Sequence, residues 1–343
     1  MDALTPKQLI FLDAISRRLR DLGHDVFKTT RSYHDATYVV SRLGLDVAFV
    51  GSHGGAPISS KLEASLRRSL DLAKMIEGRT FDLAFSFSSP EAARVAFGLG
   101  IPHYTANDSP HATAVAKLTL PLSRVLFTPA LIPPSVWARL GMRTEDLRRY
   151  DAIDAAAWIK HPDRWPEPNE AERRAKGSIV VRVEESQASY LLGSNGDTLK
   201  TVISLADRFP DKGIMVLARY SGEAKLYSSI GRNVTVCDEP FFGANMLKEA
   251  TLLVGRGGTM NAEAALLGVP AISYFPGSPT LVDKYLEKKG LLEIVASDDE
   301  LLNAAERLVS ENRMELKDRG KKLLAEMVDP ADFIAKALDT EVP

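Results

Sequence analysis

"VGRGGTMNAEAALLGVPAISYFPG", Val254 to Gly277, places three glycines within four positions, at 255, 257 and 258, ahead of a helical stretch and a second short apolar run. Glycine at such a junction either lets the backbone approach a ligand, often a phosphate, or simply carries the chain round a sharp turn. "TLLVG" reads as a strand, and "TMNAEAALLG" as a helix that stops at Gly268, ahead of Pro270. Gly257, Gly258 and Thr259 therefore fall at a helix N-terminus, where free N–H groups and the helix dipole favour an anion. Thr259 can cap that helix or donate to a phosphate oxygen. Glu263 follows one turn later. A carboxylate repels phosphate but suits the vicinal hydroxyls of a sugar, so loop and glutamate together describe a nucleoside-diphosphate pocket. A tight turn followed by a solvated glutamate is the plainer alternative. Two other phosphate motifs are excluded: Met260 and Phe275 stand where a dinucleotide fingerprint needs glycine and an acidic residue, and no Gly-Lys-Ser/Thr occurs.

Around this loop the chain alternates. "DVFKTT", "DVAFVG", "DLAFSF" and "IPHYTAND" are short apolar runs separated by amphipathic stretches. One of these, "KLEASLRRSLDLAKMIEG", sets Leu62, Leu66, Leu70, Leu72 and Ile76 near one face. Strands alternating with helices predict a parallel sheet covered on both sides. "KHPDRWPEPNEAERRAKGS", 160 to 178, is charged, proline-rich and without apolar period, and reads as a linker. The alternation then resumes through "SIVVRVE", "GIMVLARY", "NVTVCDE", "TLLVGR", "PAISYFP" and "LLEIVAS". The expected layout is a Rossmann-like domain over 1–160, a linker over 161–177 and a second Rossmann-like domain over 178–343, the two facing a cleft. A final amphipathic helix over Asp329 to Leu338 is expected to cross back onto the first domain. The chain opens on a loop and a helix, "MDALTPKQLIFLDAISRRLRDLGHDV", where such a domain normally opens on a buried strand. The first strand is therefore expected to be missing, and the native chain to begin upstream with an apolar run.

Composition narrows the class. A length of 343 residues suits two domains, and a net charge of −2 with dispersed Lys and Arg argues against a nucleic-acid partner. Cys237 is the only cysteine, so neither a disulfide framework nor a zinc knuckle is available; with no signal-peptide pattern, the cytoplasm is the expected compartment. No apolar run reaches the ~18 residues of a membrane span.

The stretch "PFFGANMLKEATLLVGRGGTMNAEAALLGVPAISYFPGSPTLVDKYLEKKG" resembles the donor-binding segment of GT-B glycosyltransferases. It is similar to that of the N-acetylglucosaminyltransferase that makes lipid II, and to non-hydrolysing UDP-N-acetylglucosamine 2-epimerases. More narrowly, "LTPKQL", "VGSHGG", "SFSSPEAARVAFGLGIPH" and "NDSPHA" resemble a largely archaeal family of predicted glycosyltransferases, domain of unknown function 354, over nearly the whole chain. The resemblance implies a GT-B-like fold. It implies that Gly257, Gly258 and Thr259 hold a donor diphosphate, with Arg256 beside them, that Glu263 binds the ribose, and that Phe242 to Met246 meet the base. Arg182 stands where the family has a glycine-serine phosphate loop, in "VVRVEESQASY", and is a candidate for the same anion. Asp283 matches an aspartate that holds the sugar, but the paired glutamines after it are replaced by Lys284 and Tyr285, so N-acetylglucosamine does not follow.

A metal-free transferase of this class needs a base on the acceptor side. His53, Asp108 and His111, in the polar loops "GSHGG" and "TANDSPHA", are the candidates, each with a capping or surface role as its alternative. Lys7 and Gln8 are possible phosphate or acceptor ligands, or ordinary first-turn residues. No metal motif and no cofactor are expected. The expected partners are a nucleotide-sugar donor, UDP-linked by the resemblance, and a glycan, lipid-linked or small-molecule acceptor, the lipid-linked case implying peripheral membrane association. A sugar-nucleotide epimerase and a non-catalytic nucleotide-sugar binding protein remain alternatives.

Overall fold

The computed structural model describes residues 1–342 apart from 56, 184–197, 219–220, 275–277 and 311–312. The chain forms two compact units. One comprises Met1–Lys160 together with the chain from Val328 onward, and the other His161–Met327.

The first unit holds seven parallel strands: β1 Asp2–Ala3, β2 Thr29–Ser32, β3 Ala48–Ser52, β4 Ala84–Ser86, β5 His103–Ala106, β6 Val125–Pro129 and β7 Leu147–Tyr150. Their order is β3-β2-β1-β4-β5-β6-β7. The second unit holds six: β8 Ile179–Arg182, β9 Ile214–Leu217, β10 Val234–Cys237, β11 Leu252–Gly255, β12 Ala271–Tyr274 and β13 Glu293–Val295, in the order β10-β9-β8-β11-β12-β13. Both are doubly wound sheets whose strand order reverses between the first and fourth strands. Ligands bind such folds beyond the carboxyl ends of the strands at that reversal. The reversal falls between β1 and β4 in one unit and between β8 and β11 in the other. In the second unit, β8, β9 and β11 bury Ile179, Val181, Ile214, Val216, Leu252 and Val254 on one core, as strands covered on both faces require.

Several expectations are corrected. The first strand is not missing: Asp2 and Ala3 fill the central slot, Asp2 pairing with Thr29 on one side and Ser86 on the other. An apolar pattern could not reveal it, because one of its two residues is a buried aspartate. The C-terminal domain does not run to 343. The helix Pro330–Asp339 packs on the helix Pro6–Asp21, where Arg18 pairs with Asp332 and, at 3.4 Å, with Asp329. Residues 161–177 belong to the second unit, where Glu170–Arg174 forms a short helix with a full capping box between Asn169 and Glu172. The leucine face of the helix Ile58–Ile76 is also inverted. Leu62, Leu66 and Leu70 are 61%, 63% and 57% exposed, while Arg68 and Leu72 turn inward.

That inward arginine anchors the central strand. Arg68 is 1% exposed, and its guanidinium meets Asp2 through Nη2–Oδ1 at 2.5 Å and Nη1–Oδ2 at 3.1 Å, while Nε donates to the Val50 carbonyl at 2.9 Å. Burial pushes the Asp2 carboxyl up. The charge and hydrogen bonds of Arg68 outweigh this and hold it below its ordinary value. Among the described residues no helix is long and apolar enough to cross a membrane.

Candidate functional site

The opening loop lies at the reversal point of the second sheet. β11 ends at Gly255, Gly257 and Gly258 take φ of +82° and +95°, and the helix Thr259–Leu267 begins. The glycines answer to different constraints. A Cβ on Gly255 would run into the Asn261 amide, 3.2 Å from its Cγ. A Cβ on Gly257 would stand 3.4 Å from Asp283 Oδ2, whereas one on Gly258 would meet nothing within 4 Å. Both positive φ values favour glycine in any case. Gly258, not Thr259, is the N-cap, and no side chain caps the helix. As N-cap, Gly258 offers the first-turn N–H groups no side-chain oxygen of its own, which suits anion binding at a helix start.

Beneath the loop, Asp283 is 1% exposed and accepts from Asn261 Nδ2 at 3.3 Å and Ser273 Oγ at 3.4 Å. Burial raises its carboxyl above the usual range. It is placed as a brace under the glycines. Arg256 is mostly buried, with its guanidinium 5.0 Å from the centre of the Tyr274 ring. Arg182 ends β8 one step beyond the Val181–Val254 pair, which puts it level with Gly255, and its guanidinium lies 5.2 Å from the Phe241 ring. The remainder of "VVRVEESQASY" from 184 onward lies outside the described residues, as does Phe275.

Glu263 is 3% exposed and lies against Gly243, the first residue of the short helix Gly243–Leu247. A Cβ at 243 would stand 2.9 Å from the Glu263 carboxyl carbon and overlap its oxygens. This loop is held from behind by the segment expected to be a linker. Glu172 accepts from the Phe242 amide at 2.7 Å, Asn245 donates to the Pro166 carbonyl at 2.8 Å, and the Trp165 and Phe242 rings are 6.0 Å apart. Arg182, Arg256, Gly257, Gly258, Thr259, Glu263 and Asp283 thus gather at one end of one sheet.

The candidates of the first unit divide. His53 follows β3, four strands from β5, about 19 Å at about 4.8 Å per strand. It accepts from the Gly55 amide at 3.0 Å, a local turn contact. Asp108 and His111 share the loop after β5. Asp108 caps no helix, since Thr113–Thr119 starts from Ala112; it pairs with Lys7. Partial burial lowers the His111 ring below the usual histidine range, opposed by the Asp108 charge. Gln8 accepts from the Leu4 amide at 2.7 Å and its own amide is received by Thr5, so it belongs to the helix start. The serines of "SFSSPE" face inward: Ser86 meets His103 Nε2 at 3.0 Å, and Ser88 donates to the Ala106 carbonyl at 3.0 Å. Burial drives His103 down to about 4. The sequence did not point to Asp154 and Tyr150. They lie in "YDAID", which begins on the last residue of a polar edge strand with no apolar run, yet Asp154 stands 2.8 Å from Lys7.

With this geometry in place, comparison with known proteins defines the class. A UDP-GlcNAc 2-epimerase of Methanocaldococcus jannaschii, solved with UDP-GlcNAc and UDP, superposes with a TM-score of 0.73 at 16% identity over 98% of each chain. The spinosyn forosaminyltransferase SpnP superposes at 0.66 with 15% identity, over 100% of this chain and 99% of that one. Both are likenesses of fold, and the fold is of the GT-B class that glycosyltransferases and UDP-GlcNAc 2-epimerases share. The uncharacterized protein MJ0665 of M. jannaschii is 28% identical over 291 residues, 83% of this chain and 81% of its own. Residues 3–339 match the family model described as protein of unknown function (DUF354), and the chain belongs to that family.

Proposed function

We propose that this protein is a metal-independent glycosyltransferase that binds a UDP-linked sugar on its second unit and passes the sugar to an acceptor hydroxyl. The observation that carries the reading is the uncapped helix start at Thr259, behind two glycines of positive φ, with the buried Glu263 carboxylate one turn on. The helix start takes the diphosphate and Glu263 takes the ribose hydroxyls. Arg182 and Arg256 supply positive charge at the same strand ends, in the role that a metal ion plays in other transferases. UDP is chosen because the epimerase of the same fold was solved with it.

Glu263→Gln keeps the size and removes the charge. It is expected to weaken UDP binding by on the order of 1–3 kcal/mol, the range for a hydrogen bond to a charged group. Calorimetry with UDP and its 2′,3′-dideoxy analogue checks this. The native protein should prefer the ribose form and the variant should not; equal binding of both ligands by both proteins, or no binding at all, defeats the reading. Gly243→Ala makes a separate prediction. Its methyl group would occupy the space of the Glu263 carboxylate, so UDP binding should fall about as far as in Glu263→Gln. A Gly243→Ala protein with native affinity would show that Glu263 does not reach the nucleotide.

A second reading, a sugar-nucleotide epimerase, draws support from the two carboxylates that flank Lys7, since epimerisation needs paired proton-transfer groups. Release of UDP that depends on an acceptor favours transfer; interconversion of the sugar without an acceptor favours epimerisation.

A further inference from the structure

The helix Ile58–Ile76 of the first unit turns its apolar stripe away from the core. Ile58 is 67% exposed, and Leu62, Leu66 and Leu70 follow it at intervals of four, all exposed, while Arg68 and Leu72 point inward. Nineteen residues make a helix about 28 Å long, and the stripe runs along most of it. A single leucine on a surface needs no explanation, but a row of four large aliphatic side chains marks a contact surface. The two elements packed on this helix, β3 and the helix Pro90–Gly98, expose Phe49 and Phe97 as well.

Residues four apart form the ridges of a helix surface, and helices pack by setting the ridge of one into the groove of another. Ile58, Leu62, Leu66 and Leu70 are such a ridge. The row beside it on one side is Ser65, Ser69 and Ala73, three small, half-buried residues that make a groove. Ser69 Oγ donates to the Ser65 carbonyl at 2.9 Å, so a side chain laid in the groove would not strand that hydroxyl proton. The row on the other side is Glu63, Arg67 and Asp71, all exposed, with Arg67 Nη2 2.8 Å from Glu63 Oε1. Ridge and groove therefore lie side by side on one helix. A surface that carries both halves of a fit is self-complementary, as a two-fold interface requires.

We infer that the helix Ile58–Ile76 is the contact between two copies of this chain, related by a two-fold axis near Leu66. Each copy lays its leucine ridge in the serine groove of the other. The charged row fixes the direction. Antiparallel helices bring Glu63 of one copy beside Arg67 of the other, twice by symmetry, whereas parallel helices would set like charge against like, which is costly. The same row tells against a lipid surface. Two of its three charges are acidic, where the polar face of a membrane-bound helix is rich in Lys and Arg.

Analytical ultracentrifugation of the whole protein over a concentration series tests this. The native chain should pass from monomer to dimer as concentration rises. A native chain that stays monomeric throughout overturns the inference, and co-sedimentation of that monomer with phosphatidylglycerol vesicles would assign the stripe to a lipid surface instead. Leu66→Glu should raise the dimer dissociation constant about thirtyfold or more, the loss expected for a central interface residue. Leu66 is exposed in the single chain, so the variant should keep the native fold, which circular dichroism checks. An undiminished dimer in Leu66→Glu places the interface elsewhere and overturns the inference. Glu63→Arg should weaken the dimer severalfold by facing arginine with arginine, and adding Arg67→Glu to it should restore native affinity. A double variant no tighter than Glu63→Arg alone overturns the antiparallel two-fold.

Discussion

Arg68→Met is expected to destabilise the first unit by about 3–5 kcal/mol at neutral pH, the cost of leaving one member of a buried ion pair without its partner. Methionine fills the space of the arginine stem but supplies no donor to Asp2 or to the Val50 carbonyl, both served by Arg68. The pH dependence has a definite sign. Asp2 titrates below its ordinary value in the folded protein. Its contribution is therefore complete above the unfolded value of about 4 and is lost as pH falls through the folded value. The gap between native protein and variant should be widest near pH 7 and narrow below about pH 4. Urea unfolding at both pH values, followed through the buried Trp137 and Trp158, measures it. A loss under about 1 kcal/mol at pH 7 would mean that the pair is not what holds β1 in place.

Gly268→Ala should be nearly as damaging, by about 2–5 kcal/mol, through two additive causes. Gly268 ends the helix Thr259–Leu267 at φ +64°, which costs an L-residue about 1–2 kcal/mol. An added Cβ would also stand 2.8 Å from the Lys317 backbone nitrogen, and overpacking costs about 1–3 kcal/mol more. Gly320 approaches from the other side: a Cβ there would be 2.9 Å from the Gly268 nitrogen, so two helices meet backbone to backbone. The glycine turn proposed to take the diphosphate is at the far end of the same helix. Below its lowered melting point the variant should therefore bind UDP with native affinity. A melting temperature within about 1 °C of the native value would show that the backbones part readily.

How much of this was legible in the sequence depends on how local the cause is. The ten apolar runs named from the alternation each overlap a strand, most of them because a buried parallel strand is apolar throughout, although "DVFKTT" meets β2 only at Thr29 and Thr30. The glycine turn was legible for the same reason, since its requirement lies in its own backbone. β1, β6 and β7 were not singled out. β1 is two residues long, and β7 carries Arg148 and Arg149 along the sheet edge. The leucines of Ile58–Ile76 were misread because a helical period locates a stripe without saying which way it faces. The Lys7–Asp154 contact spans residues with no shared pattern, and only the closing of the sheet brings them together.

The meeting of Gly243 and Glu263 has a consequence for how this chain can change. A carboxylate that fills the space of its neighbour's missing side chain makes the two positions a single choice. Shortening residue 263 to alanine should free residue 243 to take alanine or serine without further strain. With glutamate retained, alanine at 243 should be accepted only by pushing the Glu263 carboxylate aside, and larger residues should cost more. In a library randomised at both sites and ranked by stability, the most stable sequences should fall into two groups, glycine with a long partner or a larger residue with a short one. If nucleotide binding is selected as well, only the first group should survive.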